Sequence, residues 1–138
     1  MYLPHTNAVH RKNASTLPSV LIVENDLDIR DIISFILTDS GHEVLKFHSC
    51  PDHDTIFDFN PDVILLDEPI IGSVSESQIC RSLKNAERIA HIPVVILTTN
   101  CRAAEIACSS GADDFLQKPF DIDELSRKVS KFVGNCIT

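Results

Sequence analysis

Short apolar runs alternate with longer segments in which apolar residues recur at helical spacing, from residue 20 almost to the end of the chain. The runs predict five strands, at Val20–Val23, Glu43–Phe47, Val63–Asp67, Val94–Leu97 and Asp114–Gln117. Several of these strands are apolar throughout rather than at alternate positions. This pattern is typical of a parallel sheet that is covered by helices on both faces, and it predicts an α/β fold.

The helix starts are predicted from side chains that can accept hydrogen bonds in the first turn. Asp26 is expected to cap the first helix, which should end at Gly41. The second helix is expected from about Pro51 to Phe57, and the fourth from Arg102 to Ser109. Capping boxes are predicted for the second, third and fifth helices, formed by Ser49 with Asp52, Ser75 with Gln78, and Asp121 with Glu124.

Three of the helices have apolar stripes that are expected to pack on the sheet. The predicted buried positions are Ile29, Ile32, Ile33, Ile36 and Leu37 in the first helix, Ile79, Leu83 and Ala86 in the third, and Ile122, Leu125, Val129, Phe132 and Val133 in the last.

The bulk composition narrows the function classes. The 138 residues predict one domain over residues 18–138. Residues 1–17, which are polar and lack periodicity, are expected to form a disordered or flexible N-terminal tail. A net charge of −8 argues against a nucleic-acid partner, and no apolar stretch approaches the roughly 20 residues that span a bilayer. The five cysteines include no C-x-x-C pair, which is typical of free thiols in the cytoplasm.

Polar residues follow the predicted strands at the point where each strand ends. Glu24, Asn25 and Asp26 follow the first strand, and Asp67 ends the third. Thr98 follows the fourth strand, and Lys118 follows the fifth. The carboxyl ends of parallel strands share one edge of the sheet, where open α/β folds bind ligands, so these side chains are expected to line one crevice.

Two segments carry a resemblance to a known family. Residues 111–120 read GADDFLQKPF, and residues 22–30 read IVENDLDIR. From about Ser19 to the C-terminus, the chain resembles the receiver domain of two-component response regulators. The resemblance implies a flavodoxin-like, doubly wound sheet of five parallel strands in the order 2-1-3-4-5 with five helices. It also implies a cis peptide bond between Lys118 and Pro119.

The same resemblance assigns roles to the strand-end residues. Asp67 is expected to be the phosphoacceptor, with Thr98 and Lys118 as catalytic partners that bind phosphoryl oxygens. Thr98 and Phe115 are expected to form the conformational switch. The Mg²⁺ ligands implied by the resemblance are Glu24, Asn25, Asp67 and the backbone carbonyl of Pro69, with Asp26 as an alternative ligand.

Asn25 departs from the family pattern, because receivers usually have a metal-ligating aspartate at this position. An amide offers an oxygen but no charge, so the Mg²⁺ affinity is expected to fall on the order of tenfold or more. Asp26 could compensate only if it were free from capping the helix. In the loop after Asp67, Ile71 stands where receivers commonly have proline, and the stretch of residues 73–77 is one residue longer than usual.

The leading hypothesis is a stand-alone cytoplasmic receiver that accepts a phosphoryl group on Asp67 from a histidine kinase or a histidine phosphotransfer protein. It would catalyse only its own phosphorylation and dephosphorylation, so it is not expected to be an enzyme acting on other substrates. No output domain is expected after the last helix, and the signal is expected to pass to a partner protein at the face of the fourth helix, fifth strand and fifth helix. Receivers also form homodimers through that face.

Two other functions compete with this hypothesis. The runner-up is a receiver-fold interaction module that does not depend on phosphorylation, which the amide at Asn25 and the altered loop favour. A small metal-dependent hydrolase is a weaker alternative, because the sequence has no G-x-S-x-G, H-E-x-x-H or glycine-rich phosphate-binding motif.

Overall fold

Five parallel strands form a single sheet in the structure, a computed structural model that describes residues 17–67 and 77–133. The sheet order is β2-β1-β3-β4-β5. The strands are β1 (Ser19–Val23), β2 (Glu43–Phe47), β3 (Val63–Asp67), β4 (Val94–Thr98) and β5 (Asp114–Gln117). The helices are α1 (Leu27–Asp39), α2 (His53–Phe59), α3 (Gln78–Asn85), α4 (Ala103–Ser110) and α5 (Ile122–Val133). The predicted flavodoxin-like fold and its strand order are confirmed.

The central strands are buried on both faces, as their continuous apolar sequences predict. Successive side chains of a strand point to opposite faces, so β1, β3 and β4 contribute to two separate cores. One core lies against α2, α3 and α4, and includes Leu66, Ile96 and Leu83. The other lies against α1 and α5, and includes Leu65 and Leu125. The two cores fix the sheet between two layers of helices.

The strand register brings the predicted strand-end residues to one edge. Val23 pairs with Leu66, Asp67 pairs with Leu97, and Thr98 pairs with Gln117. Glu24, Asp67, Thr98 and Lys118 therefore lie at or just beyond the same edge of four adjacent strands, as the sequence predicted.

Two of the predicted helix caps are confirmed. The side chain of Asp26 accepts a hydrogen bond from the amide of Ile29 at 3.0 Å, and that of Asp121 accepts one from the amide of Glu124 at 2.7 Å. Gly41 and Gly111 follow α1 and α4 with positive φ angles of 97° and 78°, which glycine adopts without the strain of a Cβ atom.

Two other predicted helix starts are wrong. Helix α2 is capped by Asp52, which accepts from the amide of Thr55 at 2.8 Å, and it begins at His53 rather than in the turn after Ser49. Helix α3 is capped by Ser77, which accepts from the amide of Cys80 at 3.1 Å. The predicted cap Ser75 lies outside the described residues. In both segments, several side chains able to cap compete within a few positions, and tertiary packing selects the one that is used.

The apolar stripes are mostly buried as predicted, with two exceptions. Ile33 and Leu37 of α1 and Leu125 and Val129 of α5 are buried, and their stripe neighbours are partly buried. Ile32 and Ile122 are 58% and 59% exposed, so their predicted burial is wrong. Helical spacing defines a stripe wider than the contact with the sheet, and these residues fall at its margin. No helix among residues 17–67 and 77–133 is long and apolar enough to cross a membrane.

Candidate functional site

Lys118 lies between two carboxyl groups at the carboxyl edge of the sheet. Its Nζ is 3.0 Å from Oε1 of Glu24 and 3.4 Å from Oδ1 of Asp67. The side chains of Lys118 and Asp67 are 12% and 15% exposed, and that of Glu24 is fully buried. Ion pairs in so dry a position are screened little by solvent, so these three groups form one electrostatic unit.

Within this unit, the surroundings of Glu24 disfavour its charged form. Its pKa is raised above the ordinary value for glutamate, first because burial penalises the charged form and second because the Asp67 carboxyl lies beside it. Lys118 opposes this shift. Oε2 accepts from the amide of Asp26 at 3.1 Å, but Oε1 receives no aligned hydrogen bond from the described residues, although the Lys118 ammonium is close. Oε1 is thus a buried acceptor whose neighbouring positive charge is the Lys118 ammonium.

The backbone between β4 and β5 holds Thr98 and Lys118 side by side. The carbonyl of Thr98 accepts from the amide of Lys118 at 2.7 Å, and the Thr98 hydroxyl oxygen accepts from the amide of Asn100 at 3.0 Å. Thr98 is 4% exposed. The predicted cis peptide bond between Lys118 and Pro119 is present.

The acidic segment after β1 divides its side chains between two tasks. Glu24 turns into the crevice, whereas Asp26 accepts from the first turn of α1 and is exposed. Asn25 between them is also exposed. Asp26 is therefore engaged as the helix cap, and the other proposed ligand, the carbonyl of Pro69, lies outside the described residues.

The described residues contain no group of three His, Cys, Asp or Glu side chains that could hold a metal ion by themselves. The predicted Mg²⁺ set has two such side chains, Glu24 and Asp67, with an amide, a backbone carbonyl and the carboxylate of Asp26 as an alternative ligand. The two carboxylates, one with a buried oxygen that has the Lys118 ammonium beside it, are hard oxygen donors of the kind that Mg²⁺ prefers. The donor chemistry of the crevice thus fits a Mg²⁺ ion.

Phe115 lies in β5, next to residues that the sequence analysis did not single out. Its ring is half-buried, and the ammonium of Lys128 lies 4.9 Å from the ring centroid. Lys128 also pairs with Oδ1 of Asp114 at 2.8 Å, and Lys131 pairs with Oδ2 of the same carboxyl. The basic residues in the later part of α5 were visible in the sequence, but only the packing of α5 beside β5 shows which carboxylate these lysines bind.

A second feature that was not predicted is an apolar cavity of about 370 Å³ beside Lys118. Its walls come from the isoleucines of α1 and from the segment that follows β5, and they include Ile29, Ile32, Ile33, Pro119 and Phe120. Ile32, the exposed residue at the margin of the α1 stripe, thus lines this cavity.

Known proteins share both the sequence pattern and the fold. A family model described as the response regulator receiver domain matches residues 20–130. The DNA-binding dual master transcriptional regulator RpaA of Synechocystis sp. is 33% identical over 116 residues, which cover 82% of this chain and 48% of RpaA. The phosphate regulon transcriptional regulatory protein PhoB of Pseudomonas aeruginosa is 34% identical over 114 residues, covering 78% of this chain and 48% of PhoB. The chain spans about half the length of these curated relatives.

Two solved structures have a similar fold, and the match to this chain spans nearly the whole length of each. The chemotaxis protein CheY4 of Vibrio cholerae superposes with a TM-score of 0.71 at 21% identity, covering 85% of this chain and 99% of CheY4. The receiver domain of the sensor histidine kinase PA1611 of P. aeruginosa, which has a magnesium ion in its active-site cleft, superposes with a TM-score of 0.67 at 23% identity, covering 87% and 100%. The family match over most of the chain and the shared five-stranded fold lead to one conclusion: this chain belongs to the response regulator receiver domain family.

Proposed function

We propose that this receiver accepts a phosphoryl group on Asp67 from a histidine kinase or a histidine phosphotransfer protein. The observation that carries the proposal is the position of Lys118 Nζ, which lies 3.4 Å from Asp67 and 3.0 Å from Glu24. A carboxylate that attacks an anionic phosphoryl group requires positive charge beside it, and Lys118 supplies one such charge at the attacking oxygen.

The transfer forms one bond and breaks another. An oxygen of Asp67 attacks the phosphorus of a phosphohistidine, the new O–P bond forms, and the N–P bond breaks with its electron pair returning to the imidazole. Lys118 and the Thr98 hydroxyl hydrogen-bond to phosphoryl oxygens of the product. Dephosphorylation ends the signal. Water attacks the same phosphorus, the O–P bond to Asp67 breaks, and the products are inorganic phosphate and the Asp67 carboxylate.

Glu24 and Asp67 would hold a Mg²⁺ ion together with the amide of Asn25 and the carbonyl of Pro69. The ion would neutralise the charge of the phosphoryl group when it is bound. Asp26 is the weaker alternative ligand, because its carboxylate already caps α1. The chain's own contribution is to keep Glu24 buried and ionisable beside Asp67.

The proposed output is a change at the face formed by α4, β5 and α5. Thr98 would turn toward the phosphoryl group, and Phe115 would move into the space beside it, which biases a two-state element by a local change in charge. A downstream protein, or a second copy of the chain, would bind the altered face. We propose neither a nucleic-acid nor a membrane partner for this acidic domain.

The test is intact-protein mass spectrometry after incubation with acetyl phosphate, with Mg²⁺ or with a chelator. The protein should gain one base-labile phosphoryl group in Mg²⁺, and the Asp67→Asn variant should gain none. Asp58→Asn, which changes an exposed aspartate of α2, is the matched control and should behave as the wild type. Equal labelling of Asp67→Asn would show that the acceptor is a different residue.

The phosphorylation-independent interaction module remains the second candidate. Two observations favour it: Asn25 supplies no charge to the crevice, and Asp26 is engaged in capping. A chain of this class would gain no phosphoryl group from acetyl phosphate or from a cognate kinase. It would also bind its partner equally well with Asp67 and with Asn at this position.

A further inference from the structure

Lys128 reaches Phe115 around an open edge of the sheet. Leu116 is buried in the core on the α5 side, so its neighbour Phe115 points to the opposite face of β5. β5 is the last strand in the sheet order. A lysine of α5 can therefore touch the Phe115 ring only by passing the edge of β5, and the Lys128 ammonium lies 4.9 Å from the ring centroid.

The ammonium of Lys128 contacts the carboxylate of Asp114 as well as the ring of Phe115. Oδ1 of Asp114 accepts from Lys128 at 2.8 Å and also from the backbone amide of Phe115 at 2.8 Å. The Asp114 side chain is only 10% exposed, and that of Lys128 is 23% exposed. Burial by itself would raise the pKa of Asp114, but the hydrogen bonds from Lys128 and Lys131 outweigh it and lower the pKa. Asp114 is thus a carboxylate at neutral pH, and it holds Lys128 against the ring.

We infer that Lys128 is a positioning residue that holds the Phe115 ring at the sheet edge and so sets the balance between the two positions of the switch. The inference rests on the proposed function, in which Phe115 moves inward beside Thr98. An inward ring loses its contact with Lys128, whereas Asp114 keeps the ammonium in place. Lys128 therefore favours the resting position, and its removal favours the inward one.

Lys131 provides a matched control for Lys128, because both lysines pair with the same carboxylate but lie over different aromatic rings. Both lysines pair with Asp114, but the ammonium of Lys131 lies over the ring of Phe132, at 5.2 Å from its centroid. Lys131→Met removes one positive charge from Asp114 and leaves the cation over Phe115. Lys128→Met removes the same charge together with the cation–π contact and keeps an apolar stem of similar length.

The experiment is ¹⁹F NMR of the full chain labelled with 4-fluorophenylalanine, in which Phe115→Leu identifies the Phe115 resonance among the 7 phenylalanines. Spectra are recorded before and after incubation with acetyl phosphate and Mg²⁺, and the adduct is quantified by mass. In the unmodified protein, Lys128→Met should move the resonance toward its phosphorylated position. It should raise the inward population at least about two- to fivefold, the range for an exposed cation–π contact, because this contact is partly buried. Lys128→Arg, which keeps a cation over the ring, should restore the wild-type spectrum.

Equal shifts in Lys128→Met and Lys131→Met would overturn the inference, since charge on Asp114 would then account for the effect. An unchanged Phe115 resonance in Lys128→Met would overturn it as well. The proposed function fails separately, if no phosphoryl adduct forms on the wild-type chain. If the wild-type chain formed the adduct without any change in the Phe115 resonance, Asp67 would still be the acceptor. Phe115 would not be part of the switch, and the inference about Lys128 would then be wrong.

Discussion

The charge balance of the crevice depends on single residues. Two carboxylates, Glu24 and Asp67, face one ammonium, that of Lys118. With all three ionised, these groups carry a net charge of −1, and a carboxylate at position 25 would make it −2. At the proposed Mg²⁺ site, the amide of Asn25 would weaken the attraction for a divalent cation, and it would also reduce the repulsion that an incoming phosphoryl group meets.

Asn25→Asp is therefore expected to raise the Mg²⁺ affinity on the order of tenfold or more. Isothermal titration calorimetry of the unphosphorylated protein measures this directly. Asp28→Asn is the control: it removes an exposed charge from the first turn of α1 that is not among the proposed ligands, and it should leave the affinity near the wild-type value. Equal affinities of wild type and Asn25→Asp would show that the side chain at this position does not contribute to the ion's binding.

Glu24 makes the stability of the protein without metal depend on pH. Its folded-state pKa lies above the ordinary value of 4.5, so its contribution to stability is complete below that value and is lost as the pH rises through the raised pKa. At pH 7 without Mg²⁺, Glu24→Gln should raise the melting temperature by about 2–5 °C, because glutamine removes a buried charge while Lys118 keeps Asp67 as its partner. Added Mg²⁺ should stabilise the wild type more than this variant.

Thermal unfolding followed by circular dichroism between pH 4 and pH 8 gives the measurement. Glu87→Gln, at an exposed glutamate, should follow the wild-type curve at every pH. If Glu24→Gln were less stable than the wild type at pH 7, the ion pair with Lys118 would outweigh the cost of burying the carboxylate.

At the scale of the helices and strands, local patterns locate an element better than they locate its first residue. The strands β2 and β5 have the predicted limits, because apolar residues and turn residues mark both ends. The start of α3 was misplaced because Ser75 and Ser77 are equally good caps by sequence. The amide of Ser77 also bonds to the hydroxyl of Ser110 on α4 at 2.5 Å, a contact between distant residues that no local pattern reveals.

Ser77→Ala should destabilise the protein by about 1 kcal/mol, because the amide of Cys80 loses its acceptor at a buried helix start. Urea denaturation followed by circular dichroism measures the free energy of unfolding. Ser49→Ala removes an exposed hydroxyl that does not cap α2, and it should change this free energy by less than about 0.5 kcal/mol. A larger effect of Ser49→Ala than of Ser77→Ala would reverse the assignment of the caps.

Across the whole molecule, the sequence predicted which residues meet at the sheet edge, because parallel strands carry their carboxyl ends to the same side. It could not predict how Lys118 divides its charge between Glu24 and Asp67, or that Lys128 passes the edge of β5. Both depend on distances between elements far apart in the chain. The cavity beside Ile32 was not predicted for the same reason, because it forms only where α1 meets the segment after β5.

The limits of the domain can be tested on the chain itself. The family match begins at residue 20, and the carbonyl of Pro18 accepts from the amide of Glu43 at 2.7 Å. A chain that begins at Leu17 keeps this bond and all of β1, so it should retain the wild-type melting temperature within about 1 °C and the same phosphorylation of Asp67.

A chain that begins at Leu21 loses Val20, which is fully buried and paired with Val44 and Val63. That loss should cost at least about 2 kcal/mol in the free energy of unfolding. If the chain that begins at Leu17 were instead destabilised, residues 1–16 would contribute to the folded domain and the predicted boundary at residue 18 would be wrong.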